Sequence, residues 1–191
     1  MIDLVRDSPD DAEILALTSA AVSAEGTVGD RIAFFESTRD FRKPELSAAL
    51  GEAYAEIRQY DKAIGAFEES LALHPEDGKV RLALARCLHL TGELEESGEH
   101  YRKCVELMWG EPPAAEAMIG LAEVSSELRR FDDARELYGE VLKTNPHEER
   151  ALIGLRVIEA RADDPAMDEE AIRVADVADQ PWAMEFAAAL L

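Results

Sequence analysis

Residues 44–77 read PELSAALGEAYAEIRQYDKAIGAFEESLALHPED, and the order within this stretch decides the fold. It predicts two helices of about 14 residues each, joined by a turn at residues 58–61 and closed by Pro75. Leu50, Gly51 and Tyr54 mark the first helix; Tyr60, Ala63 and Phe67 mark the turn and the second. The spacing sets Gly51 against Ala63 where the helices cross, so that the backbones approach closely, and Tyr54 and Phe67 fill the flanks. A single hairpin of this kind leaves an apolar face bare and needs neighbours stacked on it.

The chain supplies them. Residues 78–111 repeat the layout with Leu84, Ala85, Leu88, Gly92, Ser97, Tyr101 and Cys104, and Trp109 stands where the closing proline would be. Glu111, Pro112 and Pro113 read as a short insertion. Residues 115–148 form the third copy with Leu121, Ala122, Phe131, Ala134, Tyr138 and Pro146, and a fourth begins over 149–162 with Leu152 and Leu155.

This order resembles the tetratricopeptide repeat, which runs Leu-Gly-x-x-Tyr, Ala-x-x-x-Phe and Pro over about 34 residues. The tryptophan of that pattern, three residues before the leucine, is Ser47 here. The resemblance covers residues 44–162 and implies an all-α, right-handed superhelical solenoid of antiparallel helix hairpins. Around it, residues 1–43 read as a degenerate helical hairpin capping the N-terminal end, with helices expected over 10–25 and 30–41 and a break at Gly26–Gly29. Residues 163–191 read as C-terminal capping helices. The last of these, WAMEFAAALL, is apolar on most of its circumference. Trp182, Met184, Phe186 and Leu190 give it the alternative reading of a self-association surface.

Composition narrows the function classes. Of 191 residues, 47% are hydrophobic but only 6% aromatic, which suits closely packed helices. Asp and Glu number 41 against 20 Lys and Arg, for a net charge of −21, which argues against nucleic acid as a partner. No apolar run approaches the ~20 residues of a membrane span. The first residues lack the cationic start and apolar core of a secretory signal. A soluble, cytoplasmic chain is expected. Cys87 and Cys104 fall where small apolar residues belong and read as buried free thiols. His74, His89, His100 and His147 show no metal-ligand pairing, and neither GxxxxGK[ST], GxGxxG nor GxSxG occurs. Neither catalysis, a metal nor a cofactor is expected. The adjacent Arg129 and Arg130 read as a solvated inter-helix turn.

The resemblance implies that the first helix of each repeat lines a concave face, where partners lie as extended peptides or helices. Projected onto this sequence, the groove presents Glu52, then Lys79, Leu82, Arg86, His89 and Leu90, then Ile119 and Glu123, then Arg150, Ile153 and Arg161. Ala49, Ala83, Gly120 and Gly154 leave room down its middle. Two readings of the charges stand side by side: ion pairs between neighbouring repeats, worth about 0–1 kcal/mol each at exposed sites, or a polar rail for a peptide. The carboxylate clamp that grips the acidic tails of heat-shock chaperones is absent, because Ala48, Glu52, Ala83, Glu116 and Gly120 occupy its positions. The reading is a scaffold or adaptor that takes a protein segment, apolar with acidic side chains. A small chaperone of the type III secretion kind and a self-assembling structural subunit are the alternatives.

Overall fold

Helix ends follow local capping chemistry. In the computed structural model, which describes residues 20, 22, 24 and 26–163 with side-chain surroundings up to 159, helix α1 (Val28–Ser37) starts from Thr27. The Thr27 hydroxyl accepts from the Asp30 N–H at 3.2 Å, and the Asp30 carboxylate accepts from the Thr27 N–H at 3.0 Å. This capping box starts the helix within the expected break, and Gly29 is helical. The helix also stops sooner than expected. Ser37 and Thr38 turn their hydroxyls back onto the Phe34 and Phe35 carbonyls, at 2.7 and 3.0 Å, in competition with the helix ladder. A separate 3-10 turn, Arg39–Phe41, follows, and Arg42 leaves it in the left-handed region at φ 49°.

Seven further helices follow: α2 (Pro44–Glu56), α3 (Tyr60–Leu73), α4 (Gly78–Thr91), α5 (Leu94–Leu107), α6 (Pro112–Glu127), α7 (Phe131–Thr144) and α8 (Glu149–Asp163). No strand occurs among the described residues. Pro112 and Pro113 are helical. Glu111 is extended and Pro112 takes the first helical position, where a missing N–H costs nothing, so α6 begins about one turn earlier than the repeat pattern predicts.

The turns after α2, α4 and α6 share one geometry. Arg58, Gly92 and Arg129 are left-handed, at φ 59°, 87° and 61°. The next residue's N–H reaches back to the carbonyl of Tyr54, Leu88 or Ser125 at 2.8–2.9 Å, satisfying a helix-terminal acceptor. Arg129 and Arg130 are exposed in this turn.

The chain divides into two compact units, residues 1–93 and 94–191. In the first, α1 packs on α2, α2 on α3 and α3 on α4, around Phe34, Phe35, Leu46, Leu50, Phe67, Leu84 and Leu88. Tyr54 donates to Glu36 at 2.5 Å and Arg31 pairs with Glu56, tying α1 to α2. In the second, α5 packs on α6, α6 on α7 and α7 on α8, with Ile119, Tyr138, Leu142, Leu155 and Ile158 at the centre. Among the described residues, no helix is long and apolar enough to cross a membrane. The residues named for self-association, Trp182, Met184, Phe186 and Leu190, lie outside the described residues, as does all but a few positions of the helix expected over 10–25.

What closes each packing layer is an aromatic ring on a missing side chain. The surface of Gly51 is covered by Phe67: a Cβ at Gly51 would lie 2.6 Å from the ring. Gly120 meets the Tyr101 ring at 2.4 Å in the same sense, and Gly154 the Tyr138 ring at 2.2 Å. Gly120 and Gly154 therefore leave no room in a groove; the preceding tyrosine fills it.

The two thiols complete the interior. Cys87 and Cys104 are free and buried. Burial pushes the Cys87 thiol up to about 11, with nearby Arg86 opposing it. Its folded pKa exceeds the ordinary ~8.5 of an unfolded thiol, so the stability it contributes is full below that value and is lost as pH rises toward 11. At pH 8 Cys87 should alkylate on the order of a hundredfold more slowly in the native protein than in denaturant. Equal rates, followed by mass spectrometry, would contradict its burial. The glycines give a paired test. Gly51→Leu should cost about 1–3 kcal/mol by overpacking, whereas Gly65→Ala, which meets nothing within 4 Å, should gain roughly 0.5–1 kcal/mol from helix propensity. Chemical denaturation of the two variants checks both signs.

Candidate functional site

The faces proposed for a partner belong to the first helices of the repeats, α2 and α4 in the first unit and α6 and α8 in the second. On α2, Glu52 is exposed. On α4, Lys79 and Arg86 are exposed two turns apart and His89 is half-buried. Leu82, between them, is only 6% exposed, so it is not a surface for a ligand to rest on. Leu90 takes that part instead: it is 64% exposed and sits one turn beyond Arg86 on the same side of the helix.

On the second unit's face, Ile119 is 4% exposed and belongs to the core, because α7 and α8 bring Tyr138 and Leu155 into the same cluster. Glu123 and Ile153 are half-buried. Arg150 of α8 reaches back to α6 and donates to Glu123 from one edge of its guanidinium, Nη2 at 2.9 and 3.0 Å and Nε at 3.2 Å, with Nη1 3.9 Å from Glu116. Burial opposes the charge on Arg150, but the hydrogen bonds and charge of Glu123, then of Glu116, outweigh it and hold its pKa above the ordinary value. Of the two readings of these charges, pairing between neighbouring repeats is what Glu123 and Arg150 do. Arg161 is helical, and its side-chain surroundings lie outside the described residues.

The expected apolar floor was thus misplaced by about two helical turns on α4. Leu82 and Leu90 are both compatible with the face by periodicity, and only the packing of the neighbouring helices decides which is covered. The exposure of Leu90 had a signal: it directly precedes the Thr91-Gly92 helix stop, where a turn leaves side chains in solvent. Among the described residues, no three His, Cys, Asp or Glu side chains converge as metal ligands would.

Hairpins in sequence order, left-handed turns at matching positions and aromatic-on-glycine contacts are the geometry the repeat pattern demands. The family description "Tetratricopeptide repeat" matches residues 48–112 and 119–181. The chain belongs to the tetratricopeptide-repeat family. Among curated proteins, Tetratricopeptide repeat protein 21A of Mus musculus is 25% identical over 138 residues, 70% of this chain but 10% of its own length. This chain therefore spans about a tenth of that relative. Among solved structures, YrrB, described as a TPR protein with an unusual peptide-binding site, matches with a TM-score of 0.75 at 16% identity, covering 98% of this chain and 96% of its own. MamA from Desulfovibrio magneticus matches at 0.73 and 16%, covering 95% of each. At these identities the likeness establishes the all-α tetratricopeptide fold, a fold that serves in general as a scaffold for protein contacts.

The Glu123–Arg150 pair is open to direct measurement. Both side chains keep solvent contact, 28% and 48% exposed, so a double-mutant cycle with Glu123→Gln and Arg150→Met should return a coupling of no more than about 1 kcal/mol that shrinks with added salt. A larger, salt-insensitive value would make the pair a fixed strut of the fold.

Proposed function

We propose that this tetratricopeptide chain is a non-catalytic adaptor that takes a partner protein's segment on the first-helix face of its repeats, with α4 as the principal contact. The carrying observation is Leu90, a large apolar side chain 64% exposed, on one helix face with the exposed cations Arg86 and Lys79. An apolar side chain left in water beside cations matches a segment that is itself apolar with acidic neighbours. On a chain carrying −21 overall, a cationic strip also limits which acidic partners approach in register. His89 adds polar surface on α4, Glu52, Glu123, Arg150 and Ile153 supply polar and partly apolar surface on the other first helices, and Arg161 continues the series in the sequence. Leu82 and Ile119 support these faces from within.

The test places a photo-crosslinking benzoylphenylalanine at Leu90, with Glu68 on the second helix as control, and identifies the protein captured. The purified partner is then titrated against Arg86→Glu. Binding should weaken at least about tenfold, as expected for a charged contact at such a site, with the helical circular dichroism spectrum unchanged. If Arg86→Glu is silent and deletion of residues 182–191 alone abolishes binding in a folded protein, the contact lies in the C-terminal segment and not on α4.

A further inference from the structure

The first repeat departs from its own family at one interior position, and a cleft lies there. Ser47 occupies the place of the pattern's tryptophan. The second repeat carries Arg81 at the same register position, and the third and fourth carry Met118 and Leu152, which both pack onto the core of the second unit. Serine does not reach that far. A cleft of about 390 Å³ opens beside it between the 3-10 turn, α2 and the end of α3. Its apolar wall includes Leu73, which is 39% exposed. Arg39 and Glu69, joined by hydrogen bonds, form a closed polar wall. Arg42, fixed at the rim by its left-handed backbone, has no side-chain hydrogen bond or ion pair among the described residues. Asp40 lines the same cleft and Lys43 flanks it in sequence.

We propose that this cleft is a docking socket for a bulky apolar side chain, tryptophan or phenylalanine, presented by a partner protein with a carboxylate next to it. The ring takes the volume that the repeat's own tryptophan would fill, against Leu73 and the Ser47 backbone turn. The carboxylate meets Arg42, whose charge is not already satisfied, while the Arg39–Glu69 pair stays closed and keeps the wall shaped. Aromatic side chains dominate interface energetics because they bury a large area with few rotatable bonds. A socket rimmed by an unsatisfied arginine selects those with an acidic neighbour. The site is separate from the α4 face and stands or falls without it.

The test uses the blocked tripeptide N-acetyl-Glu-Trp-Glu-amide as probe, with N-acetyl-Glu-Ala-Glu-amide as control, followed by amide chemical shifts of the full chain. The tryptophan peptide should give saturable shifts at Arg42, Ser47 and Leu73, and the alanine peptide none. Ser47→Trp fills the socket from within, so it should raise the melting temperature and abolish the shifts. Arg42→Glu lies on the surface and leaves the fold intact should Ser47→Trp misfold; it should weaken the probe at least about fivefold. No saturable shift up to millimolar probe, equal shifts from the two peptides, or undiminished binding by Arg42→Glu overturns the proposal. So does binding that appears only after residues 1–19 are deleted, because the chain's own N-terminal segment would then be the occupant.

Discussion

The contact on which the repeats depend is an aromatic ring seated where a glycine has no Cβ. Phe67 on Gly51, Tyr101 on Gly120 and Tyr138 on Gly154 each join a second helix to a first helix. The approaches are too short for any side chain to intervene, so the glycine sets the distance between the backbones and the ring sets the angle. In the first unit the contact lies within one repeat. In the second unit it runs from the second helix of one repeat to the first helix of the next, so the same ring position welds neighbours. Nothing about this requires long-range order. Each layer is fixed by its own pair, as expected of an architecture whose stability is a sum of local and nearest-neighbour terms.

The fold was legible because its determinants are local and periodic. Glycine, small and aromatic residues at fixed offsets predicted every hairpin from α2 to α8, and the proline-closed turns fell where expected. The misreadings have physical causes. The Thr27–Asp30 box was hidden by two glycines that look like a break, since propensity at Gly29 is weaker than two reciprocal hydrogen bonds at the cap. Pro112 looked like an insertion because proline ends helices in the interior, yet it also begins them. The close approach at Gly51 involves more than the small residues at the crossing. A ring from the facing helix covers one of them, and sequence offsets do not reveal which.

The candidate face was less legible for a different reason. Periodicity identifies the side of a helix, but a tetratricopeptide first helix is packed on two sides by its neighbours, leaving a narrow strip. Leu82 and Leu90 differ by two turns on α4, and Ile119 and Ile153 stand at equivalent positions of successive first helices. Their exposures diverge because neighbouring helices end, tilt or are followed by turns at different points. Charges were easier to place, since they cannot be buried unpaired. Even so, the sequence favoured no one partner for Glu123, and the reach of Arg150 from the next repeat decided it.

Repetition also explains why a defect can persist in one repeat without disturbing the rest. In a globular core, losing a tryptophan at a packed position leaves a void felt by many neighbours at once. Here the position belongs to one layer: the second repeat has Arg81 there, and Met118 and Leu152 fill the equivalent place in the second unit without reference to Ser47. The layer beneath Ser47 keeps its seal by other means: the Ser70 hydroxyl donates to the Pro44 carbonyl at 2.8 Å, and Leu46 and Leu50 remain buried. The loss is therefore confined to the outer end of the hairpin, where the 3-10 turn with Arg39 and Arg42 borders it. A repeat can be hollowed at that end and still hold the ring-on-glycine contact at its centre, because the two features sit on different turns of α2.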